Sequence, residues 1–273
     1  MAINGKTVLY GILGNPVSHS LSPAMHNAAL VALSVNAVYL PFPAPDIAAA
    51  VTGVRGLGVE GVSVTIPHKE DVMTLLDHID PVAEKIGAVN TIVNNDGILT
   101  GLNTDWLGAT RALEEEITLN GAHAIILGAG GSARAIGFGL LEKGANITLC
   151  SRTESRGRAL AHELACPWIS LSESEKVSGN ILINATSVGM VPNIEKSPLP
   201  EGIVSRFQVV MDIVYAPMKT RLLQEAESKS CTVINGLEML LYQGVAQFEI
   251  WTGRSAPVSV MRAALTEALA KKQ

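Results

Sequence analysis

Hydrophobic and polar positions along this chain alternate between short apolar runs and longer helical patterns, the rhythm of an α/β protein. Apolar runs at 7–13, 37–40 and 61–66 predict strands. Between the first two, Ser22-Pro23 supplies an N-cap and an N1 residue. The helix they open carries Ala24, Met25, Ala28, Ala29, Val31, Ala32 and Leu33 on its apolar face. Asp80-Pro81 starts a short helix that Gly87 ends. Runs at 89–93 and 98–100 flank Asn94-Asn95-Asp96-Gly97, which is hairpin turn chemistry. The first hundred residues therefore predict a mostly parallel sheet with an antiparallel hairpin at one edge.

A helical pattern over 105–117 leaves this region, and Asn120-Gly121 marks a boundary. Strands are then expected at 124–127, 147–150, 181–184, 209–213 and 232–234, each separated by helix-length segments. Helical patterns at 238–251 and 258–270 follow once that sheet is complete. The expected division is an N-terminal domain of residues 1–105, completed by the helices within 238–273, and a second domain of residues 106–237.

The second domain opens on an apolar run, Ile125-Ile126-Leu127, that breaks into Gly128-Ala129-Gly130-Gly131-Ser132 and resumes as a helix through Ala133. A strand, a phosphate-binding turn and a helix need this order. Gly128 allows a tight turn, Gly130 lets backbone approach a pyrophosphate, and Ala133 is small enough for the helix to pack on the strand. The helix N-terminus favours the phosphates. This is a Rossmann-like dinucleotide site.

The tip of the next strand selects the dinucleotide. An NAD site commonly places Asp or Glu there to hold the ribose 2′-hydroxyl. This chain instead has Ser151-Arg152-Thr153-Glu154-Ser155-Arg156-Gly157-Arg158. Guanidinium groups make paired, charge-assisted hydrogen bonds to a 2′-phosphate, and the Ser151 and Thr153 hydroxyls can add donors. Glu154 lies past the tip, four residues before Arg158, a helical ion-pair spacing. NADP is the expected cofactor.

Composition narrows the partners. At 273 residues with 48% hydrophobic content the chain can fill two cores, and no apolar run approaches a membrane span. A net charge of −5 argues against nucleic acid and against anionic membranes. The start, Met-Ala-Ile-Asn-Gly-Lys, shows no secretory pattern. Cys150, Cys166 and Cys231 are odd in number and widely spaced, unlike a disulfide framework or a zinc site. A cytoplasmic protein is expected, with no metal, as a monomer or a homodimer.

Ligands of open α/β sheets gather at the carboxyl ends of strands. After the first strand, Ser20 and Ser22 lie at a helix start where hydroxyls and backbone N–H groups can hold a carboxylate, although capping alone would explain Ser22. After the 61–66 strand come Thr65, His68 and Lys69. A lysine at a helix start is disfavoured by the dipole, so its proton is easier to lose. Further on stand Asn90-Thr91 and Asn103-Thr104-Asp105, where Asp105 serves as a helix cap or as a carboxylate partner for Lys69. A Lys/Asp pair can deliver a proton to the alkoxide formed when hydride reduces a ketone.

These residues together resemble the shikimate dehydrogenase family. The resemblance rests on Gly11-Ile12-Leu13-Gly14-Asn15-Pro16, His19-Ser20-Leu21-Ser22-Pro23, Thr65-Ile66-Pro67-His68-Lys69 and Gly87-Ala88-Val89-Asn90-Thr91. It continues through Asn103-Thr104-Asp105, Gly128-Ala129-Gly130-Gly131, Asn184-Ala185-Thr186-Ser187-Val188-Gly189-Met190 and Asn235-Gly236-Leu237-Glu238-Met239-Leu240. It implies reversible NADPH-dependent reduction of 3-dehydroshikimate to shikimate, in aromatic amino-acid biosynthesis. It further implies that Ser20, Ser22 and Tyr215 hold the substrate carboxylate and that Lys69 and Asp105 are catalytic. Thr65, Asn90 and Gln243 would contact ring hydroxyls. Gly128, Ala129, Gly130, Gly131 and Ser132 would cradle the pyrophosphate, while Ser151, Arg152, Thr153 and Arg156 would bind the 2′-phosphate. Thr186, Ile213 and Gly236 would lie near the nicotinamide half. Many members carry Asn where this chain has Ser151.

The neighbouring branch is the quinate/shikimate dehydrogenases, some of which use NAD. Ser20 with Ser22, and no acid at the strand tip, point to shikimate and NADP instead. A non-catalytic nucleotide sensor on the same fold is the alternative of another class, and the presence of both Lys69 and Asp105 speaks against it.

Overall fold

The computed structural model describes residues 3–200 and 202–271. Residues 1–2 and 272–273, the ends of the expected N-terminal domain, lie outside the described residues. The chain divides into two compact units, Met1–Thr104 with Gln243–Gln273, and Asp105–Tyr242.

Among the described residues the first unit holds six strands: β1 (Val8–Gly14), β2 (Ala37–Pro43), β3 (Gly61–Val64), β4 (His78–Ile79), β5 (Thr91–Asn95) and β6 (Ile98–Leu102). Their order is β2-β1-β3-β5-β6-β4. The β3–β5 and β5–β6 pairs are antiparallel and the other three are parallel. The hairpin turns at Asp96 and Gly97, both with positive φ. It is not at the edge, as the hydrophobic pattern suggested, because β4 pairs outside β6. Two residues are too few to show a period. Strand β2 also runs past Leu40 through Pro41 and Pro43, which an edge strand tolerates because its outer N–H groups need no partner.

Three helices accompany these strands: α1 (Ser22–Ala32), α2 (Ile47–Gly56) and α3 (Pro81–Ile86). Asp46 caps α2 by accepting from Ala49 N at 3.0 Å. Asp80 caps α3, and Gly87 ends it in the left-handed region. Helix α1 departs from the expected cap. Leu21 is its N-cap residue, with no side-chain capping bond, and Ser22 already belongs to the helix. One apolar core lies between α2 and the sheet and includes Leu13, Val51, Val54, Val62, Val64 and Ile92.

The second unit begins with α4 (Asp105–Glu114) and contains β7 (His123–Leu127), α5 (Gly131–Glu142), β8 (Asn146–Ser151), α6 (Glu154–Glu163), β9 (Trp168–Ser170), β10 (Ile181–Asn184), β11 (Val209–Asp212), α7 (Arg221–Ser228) and β12 (Thr232–Ile234). All strand pairs are parallel, in the order β12-β11-β10-β7-β8-β9. The order reverses between β7 and β10, and such a switch point opens a crevice at the strands' carboxyl ends. This is the doubly wound arrangement expected of a dinucleotide-binding sheet.

Two helices close the chain, α8 (Gly236–Thr252) and α9 (Val258–Ala270). The unit boundary falls within α8, whose residues from Gln243 onward belong to the first unit. There Trp251 donates to Ile92 O at 3.0 Å and stacks on Tyr10, seating the end of α8 on the sheet. Helix α9 packs on α1. Among the described residues no helix is long and apolar enough to cross a membrane.

Candidate active site

In the first unit the carboxyl ends of β1, β3 and β6 and the amino end of the antiparallel β5 meet at one end of the sheet. Backbone bonds set this register: Thr65 N to Leu13 O at 2.9 Å, Val64 N to Asn90 O at 2.8 Å and Asn90 N to Leu102 O at 3.0 Å. Lys69 is brought alongside because Val89 N donates to its carbonyl at 2.8 Å. His68, beside it, is buried with Nε2 2.7 Å from Ala44 O, a satisfied core histidine.

The serine pair lies after β1. Ser22 N donates to Ser20 Oγ at 3.2 Å, which holds the two residues together. Ser22 is buried, and its hydroxyl is not used as a helix cap.

Asn90 is buried just before β5 and is the most heavily bonded of these side chains. Its Oδ1 accepts from Thr104 N and from Thr91 Oγ1, each at 2.7 Å. Those donors require the oxygen on that side, so Nδ2 faces the other way. It lies 3.1 Å from Thr104 Oγ1 and 3.5 Å from Gln243 Oε1. Asn103 donates to Ala88 O at 3.0 Å, so the segment entering Asp105 is pinned residue by residue.

In the second unit Asp105 is buried in the first turn of α4. The glycine turn follows β7 at the switch point. Gly128 has a φ of +118°, and a Cβ there would stand 3.1 Å from Ala185 O at the tip of β10. Gly130 caps α5 without a side chain, and its carbonyl accepts from Arg134 N. The N–H groups of Gly131, Ser132 and Ala133 therefore lack intrahelical acceptors, an anion-binding arrangement.

At the tip of β8, Arg152, Thr153 and Arg156 are exposed. Neither arginine forms an ion pair among the described residues. Glu154 pairs with Arg158 at 2.7 Å, so the one acid here is taken up within α6. Ser151 differs from expectation. Its hydroxyl is buried, accepts from Trp168 Nε1 at 2.9 Å and lies 3.4 Å from Thr153 O, while Arg158 stacks over Trp168. The serine braces the strand tip from behind.

On the other side of the switch point, Asn184 Oδ1 accepts from Thr186 N at 3.1 Å and from Thr186 Oγ1 at 2.6 Å. Ile213 N donates to Asn184 O at 3.1 Å. A Cβ on Gly236 would meet Ile213 O at 2.3 Å, so only glycine fits at the start of α8. Thr186, Ile213 and Gly236 are thus linked directly or through Asn184. Burial pushes the Tyr215 hydroxyl above its ordinary pKa.

Comparisons with known proteins point to one family. The profile of the Shikimate dehydrogenase substrate binding domain matches residues 12–92, and that of the Shikimate 5′-dehydrogenase C-terminal domain matches residues 236–266. A protein of Moorella thermoacetica named Shikimate dehydrogenase (NADP(+)) is 46% identical over 281 residues, covering 98% of this chain and 95% of that protein. The chain belongs to the shikimate dehydrogenase family.

Solved shikimate dehydrogenases share the fold throughout. One in complex with NADP+ superposes with a TM-score of 0.92 at 41% identity, covering 98% of both chains. Another, from Thermus thermophilus with NADP(H) and shikimate, has a TM-score of 0.90 at 38% identity, covering 96% of this chain and 100% of that one. The substrate-domain match to the family spans Ser20 through Asn90, and the C-terminal match includes Gly236 and Gln243. The buried polar groups of the first unit that the sequence does not single out include those of Tyr39, Ser63 and Gln247. Each is a polar position inside an apolar run. Gln247, four residues after Gln243 on α8 and hence on the same helix face, carries the one signal that could be read.

Proposed function

We propose that this protein catalyses the reversible NADPH-dependent reduction of 3-dehydroshikimate to shikimate. The observation that carries the reading is the alignment at one sheet end of Ser20, Ser22, Thr65, Lys69 and an Asn90 amide of fixed orientation, in a member of this family. The serine hydroxyls, with Tyr215, are assigned to the substrate carboxylate. Thr65, Asn90 and Gln243 are assigned to ring hydroxyls.

The residues present fit NADP. The Gly128 turn, the uncapped start of α5 and two arginines without acidic partners among the described residues match a pyrophosphate and a 2′-phosphate. Gly128, Ala129, Gly130, Gly131 and Ser132 would hold the pyrophosphate, and Arg152, Thr153 and Arg156 the 2′-phosphate. Ser151 would act by bracing that tip. Thr186, Ile213 and Gly236 would line the nicotinamide half. When bound, NADPH supplies the hydride.

As hydride reaches the carbonyl carbon, negative charge builds on its oxygen. The Lys69 ammonium donates a proton to that oxygen, and the Asp105 carboxylate assists by stabilising the lysine's charge. In the oxidising direction, neutral Lys69 takes the hydroxyl proton as hydride leaves the same carbon. The three cysteines form no disulfide, which supports placement in a reducing cytoplasm.

The test is to mix the purified protein with shikimate or quinate, each with NADP or NAD, and follow absorbance of the reduced nicotinamide. Fast reduction with shikimate and NADP alone is expected. Comparable rates with quinate or NAD would move the protein to the dual-substrate branch, and silence in all four would remove the catalytic reading.

A further inference from the structure

Helix α8 meets Asn90 twice. Gln243 approaches the Asn90 side chain, and one turn later Gln247, 1% exposed, reaches its backbone. Gln247 Nε2 donates to Asn90 O at 3.1 Å and to Thr91 Oγ1 at 2.9 Å, and its Oε1 accepts from Ser63 Oγ at 2.8 Å. A carbonyl oxygen only accepts, so this carboxamide has one orientation; the flipped form would set oxygen against Asn90 O.

That orientation propagates in both directions. The Thr91 hydroxyl, accepting from Gln247, gives its single proton to Asn90 Oδ1 at 2.7 Å. With Thr104 N donating to the same oxygen at 2.7 Å, Asn90 is held with Nδ2 turned toward Gln243 Oε1. Since Oε1 of Gln243 faces a donor, its own amide nitrogen lies on the opposite branch of the carboxamide. On the far side, Ser63 has committed its proton to Gln247 and so accepts from Tyr39 at 2.7 Å. Tyr39 is itself fixed by a stack on His26 at 4.4 Å.

We infer that Gln247 is a positioning residue of the substrate site, which through Thr91 and the Asn90 carbonyl supports, together with the Thr104 N–H, the flip of the Asn90 carboxamide and hence the donor that Asn90 offers to a ligand oxygen. Gln247 is assigned no contact with substrate or cofactor and acts only through its neighbours. The inference rests on the assignment of Asn90 to a substrate hydroxyl under the proposed function. Its effect is on the binding of polyhydroxylated substrate and not on the cofactor.

Steady-state kinetics of Gln247→Leu, which keeps the volume and removes the amide, test this. The KM for shikimate is expected to rise about tenfold while the KM for NADP stays within about twofold, the signature of a lost substrate-side hydrogen bond. Phe248→Leu, a core change on the next residue, should lower thermal stability without separating the two constants. Thr91→Val, which removes only the relaying hydroxyl, carries the same expectation and replaces Gln247→Leu if that variant fails to fold. A folded variant with an unchanged shikimate KM, or with both constants rising together, overturns the inference. Failure of the wild-type enzyme to oxidise shikimate removes the functional reading and the inference with it; wild-type turnover with an unchanged variant removes the inference alone.

Discussion

Asn184 donates a 2.9 Å hydrogen bond to Asp212, tying the carboxyl ends of β10 and β11 beside the switch point. Asp212 also accepts from Thr220 Oγ1 at 2.7 Å and from Val214 N at 3.0 Å, so one buried carboxylate organises the cap of α7 and the Asn184–Thr186 loop together. No cation is among these partners, and burial outweighs the three donors. The carboxyl is pushed up to about 6 from an ordinary 3.8.

The consequence for stability has a definite sign. Between those two values the folded protein binds more protons than the unfolded chain, so stability falls as pH rises through the window. The full loss is about 3 kcal/mol, reached above the folded value. Asp212→Asn cannot titrate. The stability difference between wild type and variant, from urea unfolding at about pH 4 and pH 7, should change by roughly that amount. A difference independent of pH would show that the carboxyl is not held in this way.

Arg152 and Arg156 make a separate prediction about the cofactor. Arg152→Ala should raise the KM for NADP by about tenfold or more and leave that for NAD nearly unchanged, because only NADP loses a charge-assisted contact. Equal effects on both would place Arg152 away from the 2′-phosphate. Ser151→Ala is expected to be milder, since its hydroxyl faces Trp168.

The contrast between the arginines and Ser151 marks how far local sequence reaches. The arginines are legible because exposed charge at a strand tip has few structural explanations. Likewise the caps Asp80 and Gly87, the strand Ile181–Asn184 and the helix Val258–Ala270 have strong local signals. Helix α2 is short and half Ala and Gly, so its one clear local mark is the Asp46 cap. Ser22 reads as a cap because the Ser-Pro dipeptide fits both positions, and only the backbone places the helix one residue earlier. Tyr39, Ser63 and Gln247 bond to one another across as many as 184 residues of chain, a separation no local pattern reports.

Lys69 provides the kinetic test of the chemistry. Lys69→Ala removes the proposed proton donor but none of the groups assigned to the substrate carboxylate. Turnover should fall by at least about 10²-fold with little change in the shikimate KM, the pattern of lost acid–base catalysis. Asp105→Asn should lower turnover as well, since it removes the carboxylate proposed to stabilise the lysine's charge. Near-normal turnover of the Lys69 variant would end the assignment.

His26 titrates against folding in the opposite sense from Asp212. It is 1% exposed beneath Tyr39, and burial pulls its imidazole from 6.5 down to about 3. The unfolded chain takes up a proton below about pH 6.5 that the folded protein refuses until about pH 3, so stability is complete at neutral pH and drains away as the solution is acidified. The total is up to about 5 kcal/mol over that range. His26→Phe keeps an aromatic ring against Tyr39 and cannot protonate. Relative to wild type, its stability should improve steadily between about pH 6.5 and pH 4, as read by urea unfolding, whatever its offset at pH 7. A wild-type-minus-variant difference that stays flat over that range would mean the buried ring accepts its proton in the folded state.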